Sequence, residues 1–214
     1  MKIEALVFDF GGVISKTLFE THPLTEQELG LPANTLQWRG PFDPANDSHW
    51  RDMQHDIISE RDYWLYRAAQ TGKLVGEQWD SMQAFVTRAR GQNPQEVIRE
   101  QFYHCIEQAQ QKGVRLAILS NELDLFYGDD FRAKLPFLSQ FELIVDATYT
   151  HILKPDPNAY AFITEGLALN AEQCLFIDDQ QRNIDGAQRV GMQTQLFDVL
   201  NPAASYASVL DKIK

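Results

Sequence analysis

Five short apolar runs punctuate the chain: "LVFDFGGVI" (6–14), "VRLAILS" (114–120), "FELIVDA" (141–147), "CLFID" (174–178) and "TQLFD" (194–198). Each is of strand length, and most reach a polar residue at the C-terminal side. Hydrophobicity that runs on without alternating suits strands covered on both faces, as in a parallel sheet. Between the runs the apolar spacing changes to that of helices. In "PQEVIREQFYHCIEQAQQKG" (94–113), Val97, Ile98, Phe102, Cys105 and Ile106 share one helical face, and the pattern stops at Lys-Gly. "PNAYAFITEGLAL" (157–169) and "NIDGAQRVG" (183–191) read the same way. Strand and helix alternate from about residue 94 onward, which predicts a doubly wound α/β fold with a parallel sheet.

The stretch 16–92 breaks this rhythm, with no clear strand, helical patterns such as "RDYWLYRAAQTGK" (61–73) and loop punctuation in "RGPFDPANDS" (39–48). All four tryptophans, Trp38, Trp50, Trp64 and Trp79, fall within it. The expected organisation is an α/β core made of 1–15 and 93–214, carrying an inserted all-α cap over 16–92, with the boundary at "RGQNP" (90–94). The tryptophans and Phe42 either line a pocket or hold short helices together, and large apolar side chains suit the second task.

In an open parallel sheet, ligands sit beyond the carboxyl ends of the strands. Those ends carry Asp9, then Ser120 and Asn121, then Asp178 and Asp179, while "LKPDP" places Lys154 just before a helix opened by prolines. Three carboxylates, one lysine and a hydroxyl–amide pair are thus expected at one edge. A net charge of −11 argues against a nucleic-acid surface or an anionic membrane as partner. It leaves an anionic substrate open, because a bound cation or a helix N-terminus reverses the sign locally. Cys105 and Cys174 lie far apart inside apolar patterns and read as buried thiols. The N-terminus lacks signal-peptide features and no stretch has the length of a membrane span, so the expected location is the cytoplasm.

With these residues in view, the chain resembles the haloacid dehalogenase superfamily, in particular its aspartate-nucleophile phosphatases. "FDFGGVI", "LSN", "KPDPNAY" and "FIDDQQRNIDGA" match the four motifs of that superfamily in order, and the helical insertion lies between the first and second. The resemblance implies a Rossmann-like core with a small helical cap. It implies that Asp9 attacks a phosphomonoester and forms an aspartyl-phosphate. It further implies a Mg²⁺ ion held by Asp9, Asp179 and the backbone carbonyl of Gly11, with Asp178 nearby in support. Lys154 would offset the remaining negative charge, and Ser120 with the backbone of Asn121 would hold phosphoryl oxygens. Asn183 reads as a helix N-cap.

One position departs from the pattern. Phosphatases of this superfamily usually carry a second aspartate two residues after the nucleophile, to protonate the leaving group and deprotonate water; here Gly11 stands instead. Such groups typically contribute about 10²–10⁴-fold. The leaving group of the substrate needs little help, or a cap residue such as His22, His49 or His55 supplies the proton, or the protein binds phosphate without turning it over. Some members of that superfamily with an Asp-x-Gly-x-Val first motif act on sugar phosphates, which favours the first. The rival enzyme class is 2-haloacid dehalogenation, whose leaving halide needs no proton; its usual Tyr-Gly-Thr and Ser-Ser-Asn are absent, and the acid pair Asp178–Asp179 stands in their place. Adjacent acids beside an attacking carboxylate call for a cation between them. The expected partner is a small phosphorylated molecule, which Arg39 and Arg51 of the cap are placed by type to meet, and the chain is expected to be a monomer or weak homodimer.

Overall fold

The computed structural model describes residues 2–55, 57–89, 94–121, 123–128 and 132–214. The expected boundary over 90–93 lies outside the described residues. By their contacts the residues form two compact units, one of Met1–Lys16, Gln95–Asp124 and Arg132–Lys214, the other of Thr17–Pro94 and Leu125–Phe131.

The first unit is built on a five-stranded parallel sheet in the order β3-β2-β1-β4-β5. Its strands are β1 (Ala5–Phe8), β2 (Arg115–Ser120), β3 (Leu143–Asp146), β4 (Cys174–Asp178) and β5 (Gln193–Leu196). Strand β1 is central, with Phe8 level with Ile118 of β2 on one side and Ile177 of β4 on the other. The chain winds from β1 outward through β2 and β3, then returns to the far side of β1 for β4 and β5. The strand order therefore reverses at β1, and in such sheets the crevice at that reversal is where ligands bind.

Period-two alternation divides β1 between two cores. Ala5 and Val7 join Ala117, Leu119, Tyr160, Ile163 and Phe176 in one buried cluster. Phe8 on the other face meets Phe102 and Phe141 edge-on, with ring centroids 5.7 and 6.3 Å away. Both faces are covered, which is why the β1 sequence is apolar without a break. Strand β5 is the exception: "QTQL" is half-buried to exposed, as befits an edge strand.

Among the described residues the helices include, in chain order, α1 (His22–Glu28), α2 (Ser48–Gln54), α3 (Glu60–Leu74), α4 (Met82–Ala89), α5 (Glu100–Gln111), α6 (Leu123–Tyr127), α7 (Ala147–Thr150), α8 (Pro157–Leu167), α9 (Gln181–Arg189) and α10 (Pro202–Lys212). The helix expected over 94–113 begins only at Glu100. Pro94–Val97 form a short 3₁₀ turn, and Ile98 makes an isolated bridge to Ser15. Backbone bonds from Lys16 N–H to Val97 and from Arg99 N–H to Ile14 (2.7 and 3.0 Å) hold this segment extended. The apolar residues that extended the helical pattern are buried by tertiary pairing instead.

The second unit contains α1–α4 and, among its described residues, no strand. Its core is aromatic. Phe19 lies 5.5, 5.2 and 5.3 Å from the rings of Trp38, Trp50 and Trp64. All four tryptophans are buried in this cluster, so they hold short helices together, whereas Phe42 is exposed. The buried carboxylate of Asp47 caps α2 through Trp50 N–H (2.9 Å) and also accepts from Gly40 N–H, Tyr63 Oη and Arg67 Nη2. Ser59 and Asp62 form a reciprocal capping box at the start of α3.

Candidate active site

Asp9 follows the last residue of β1, and its N–H still bonds to Ile177 of β4 (2.8 Å). The chain then makes a tight five-residue turn, Phe10–Ile14, closed by Ser15 N–H on the Phe10 carbonyl (2.9 Å). Gly12 has φ +80°, a left-handed conformation that favours glycine, and a Cβ there would lie 2.7 Å from Asp179 Oδ2. Glycine at this position lets the turn and the acidic pair approach each other. Gly11 differs. Its φ of −71° and ψ of 127° suit any residue, and nothing lies within 4 Å of where its Cβ would be. The missing side chain at position 11 is a chemical choice that the backbone does not impose.

Lys154, 4% exposed, places Nζ 2.7 Å from Asp9 Oδ1 and 2.7 Å from Asp178 Oδ2. Burial alone would lower the affinity of Lys154 for its proton, but the charges and hydrogen bonds of Asp178 and Asp9 outweigh it and hold the group above the ordinary lysine range. The site therefore contains a fixed ammonium between two carboxylates. Asp178 is fully buried, and its Oδ1 also accepts from Gln180 N–H (2.8 Å). Asp179 is half-buried beside Gly12. Asp9, Asp178 and Asp179 each offer an oxygen, and these lie within 4.8 Å of one another. Three acids against one lysine leave a negative excess at a dense oxygen cluster, a donor set that fits a hard divalent cation.

The strand-end pair on β2 is also in place. Ser120 is buried in register with Asp146 of β3. The Asn121 side chain grips the backbone of Lys154, with Oδ1 accepting from Lys154 N–H (2.7 Å) and Nδ2 donating to its carbonyl (3.3 Å). Beyond it, Asp146 accepts from the N–H groups of Leu123 and Asp124 (3.2 and 2.9 Å) and from Arg132 Nη2 (3.0 Å), which anchors the segment after the pair.

Two features escape local sequence reasoning. Asn183 is not an N-cap: α9 starts at Gln181 with Gln180 as its cap residue. The Asn183 amide nitrogen instead donates to both oxygens of Asp178, at 3.1 Å each. Arg99, 3% exposed, donates from Nε and Nη2 to the Gly12 carbonyl (3.1 and 2.9 Å), while Tyr206 Oη donates to the Val13 carbonyl (2.6 Å). These two side chains brace the turn after Asp9 from behind. Nothing local marks Arg99, since its acceptor lies 87 residues away in sequence.

The three histidines considered as proton donors are each engaged within the helical unit. His22 is buried with its ring 4.1 Å from that of Trp38. Burial, with help from Arg39 and Arg67 and against Glu26, pushes its pKa down to about 4. His49 stacks on Tyr66 (4.1 Å, 12°), and His55 Nδ1 lies 2.7 Å from the Arg51 carbonyl. Arg51 itself donates to the Ala45 carbonyl (3.1 Å), and Arg39 is half-buried. Both cysteines are buried thiols, pushed up to about 12 for Cys105 and about 11 for Cys174 by burial. Among the described residues no helix is long and apolar enough to cross a membrane.

This sheet, with an acid cluster at its point of reversal, accords with a family match. The model of the haloacid dehalogenase-like hydrolases matches residues 3–191, and the chain belongs to that family of hydrolases. A curated relative, Phosphatase MT3486 of Mycobacterium tuberculosis (strain CDC 1551 / Oshkosh), is 26% identical over 115 residues, covering 50% of this chain and 53% of that protein. The match thus spans about half the length of that relative. Among solved structures, the HAD-hydrolase YfnB of Bacillus subtilis aligns with a TM-score of 0.65 at 19% identity, over 91% of this chain and 86% of that one. The L-2-haloacid dehalogenase RSc1362 aligns with a TM-score of 0.60 at 20% identity, over 100% and 99%. At these identities the two structures establish the shared fold alone.

Proposed function

We propose that the protein is a Mg²⁺-dependent phosphomonoester hydrolase that works through an aspartyl-phosphate on Asp9. The observation that carries this reading is the clustering of Asp9, Asp178 and Asp179, the first two of which bond the ammonium of Lys154. A carboxylate nucleophile beside two further acids repels a dianionic phosphate unless positive charge is held there. Asp9, Asp179 and the Gly11 carbonyl would hold Mg²⁺, which when bound supplies that charge and polarises the phosphoryl group. Asp9 forms the new bond to phosphorus as the bond to the leaving oxygen breaks, and Lys154 stays charged beside it. Water then cleaves this acyl phosphate, which releases phosphate and restores the Asp9 carboxylate. At the neighbouring strand end, Ser120 and the backbone of Asn121 would hold phosphoryl oxygens.

Gly11 narrows the substrate. With no carboxyl there to protonate the departing oxygen, the reading favours leaving groups that depart as weak bases, such as anomeric sugar phosphates, acyl phosphates or aryl phosphates. The name of the mycobacterial relative and the magnesium bound to YfnB in its crystal structure support the same direction.

Gly11 also favours a second reading, 2-haloacid dehalogenation, because a halide leaves without a proton. The acid pair Asp178–Asp179 weighs against it. Two assays separate them. Turnover of p-nitrophenyl phosphate is expected with Mg²⁺, to vanish in EDTA or in Asp9→Asn, and to fall steeply as the leaving group becomes more basic. Equal rates on aryl and simple alkyl phosphates would sink the leaving-group argument, and chloride release from a 2-chloro acid in EDTA would favour dehalogenation. Mg²⁺-dependent phosphate binding with no turnover across a broad phosphoester panel would mark a binding protein instead.

A further inference from the structure

We propose that Asn183 is a positioning residue for Lys154, acting through Asp178. The bonding of Asp178 carries the argument. Its two oxygens accept from Lys154 Nζ (2.7 Å), from Gln180 N–H (2.8 Å) and from Asn183 Nδ2, which bridges both at 3.1 Å. A carboxylate offers about four acceptor sites, so these bonds saturate a group that has no exposed surface. Asp178 is therefore committed to Lys154, and Asp9 and Asp179 are the acids that face a cation.

Asn183 is itself fixed. It is 2% exposed, lies in the first turn of α9, and its carbonyl accepts from Tyr160 Oη of α8 (2.7 Å). One turn on, a Cβ at Gly186 would lie 2.6 Å from Tyr160 Oη and 2.8 Å from Pro155 Cβ. The glycine lets α9 close onto the residue that follows Lys154. Helix α9 thus acts on the lysine at both ends, through Asp178 on the ammonium and through Pro155 beside the backbone that Asn121 already grips.

The chemistry selects asparagine. An aspartate would set a second carboxylate against Asp178, and the two would repel. A leucine of similar size would leave buried carboxylate oxygens short of a donor, which loosens Asp178 and then the ammonium. For the same reason the amide nitrogen, and not its oxygen, faces Asp178. A displacement of about 1 Å at a reacting group costs on the order of 10²-fold in rate.

The kinetic part of the test rests on the phosphatase reading; the spectroscopic part does not. In protein labelled with ¹⁵N-lysine, the Lys154 ammonium, buried between two carboxylates, is expected to give a slowly exchanging signal, assigned by its loss in Lys154→Met. In Asn183→Leu that signal is expected to shift or broaden away while the backbone amide spectrum persists. Turnover of p-nitrophenyl phosphate with Mg²⁺ is expected to fall about 10–100-fold in kcat with KM little changed. An unaltered Lys154 signal in folded Asn183→Leu overturns the proposal. If the parent protein turns over no phosphoester, the phosphatase reading fails and the signal alone decides. If Asn183→Leu does not fold, Tyr160→Phe, which removes only the hydroxyl on the Asn183 carbonyl, is expected to shift the Lys154 signal, and an identical signal there is equally fatal.

Discussion

Acidification should loosen the helical unit through one residue, His22. Its ring is 2% exposed and packed against Trp38 and Phe19, and neither ring nitrogen has a hydrogen-bond partner among the described residues. The folded pKa is pushed down from 6.5 to about 4, chiefly by burial. The unfolded chain therefore takes up a proton at a pH where the folded chain refuses it. The stability that comes from keeping His22 neutral is fully present above 6.5 and is lost as pH falls from there toward 4. Between pH 7 and pH 5 the two values imply a loss of about 2 kcal/mol. The depressed carboxylates of this unit, Asp47, Asp62 and Glu77, forfeit their contributions only within and below the ordinary carboxylate range, so the window isolates the histidine. The assay is hydrogen exchange at α3 amides, corrected for intrinsic rates and converted to opening free energies. His22→Leu should remove the drop. Equal opening free energies at pH 7 and pH 5 in the parent, or the same drop in His22→Leu, would refute the reasoning.

Two further substitutions test the turn after Asp9. Gly11→Asp meets open space and an ordinary backbone conformation. It is expected to raise turnover of simple alkyl phosphates by about 10²-fold or more relative to aryl phosphates, read from a leaving-group series; an unchanged ratio would mean that another group moves the proton. Gly12→Ala forces a side chain into a left-handed residue against Asp179, and should cost about 1–2 kcal/mol of stability and weaken Mg²⁺ binding in calorimetry. Binding as tight as in the parent would remove Asp179 from the proposed metal site.

The parts of the site legible in the sequence are those whose meaning is local. A carboxylate at the end of an unbroken apolar run announces itself, as Asp9 and Asp178 do, because strand ends in a parallel sheet converge whatever their separation along the chain. Lys154 is legible for the same reason, set between the last two such ends. Asn183 misleads because an asparagine near a helix start satisfies cap chemistry on paper; its Asp178 contact depends on how α9 turns back over β4. The signal that could have found it is the spacing, one turn into a helix that follows a strand-end acid. Val97 and Ile98 continue a helical period yet are buried by pairing with the segment after β1, which no window around residue 97 contains. Strand β5 is short and polar because an edge needs fewer apolar residues than the centre.

The brace behind the turn after Asp9 has a consequence in time. The hydroxyl that holds the Val13 carbonyl belongs to Tyr206, 193 residues further along. Synthesis runs from the N-terminus, so the segment bearing Asp9 is made before β2, β4 and α10 and waits for Tyr206 to support the turn. The turn after Asp9 therefore stays without this support until α10 has been made, and a cut near residue 200 would loosen a turn that lies far from it in sequence.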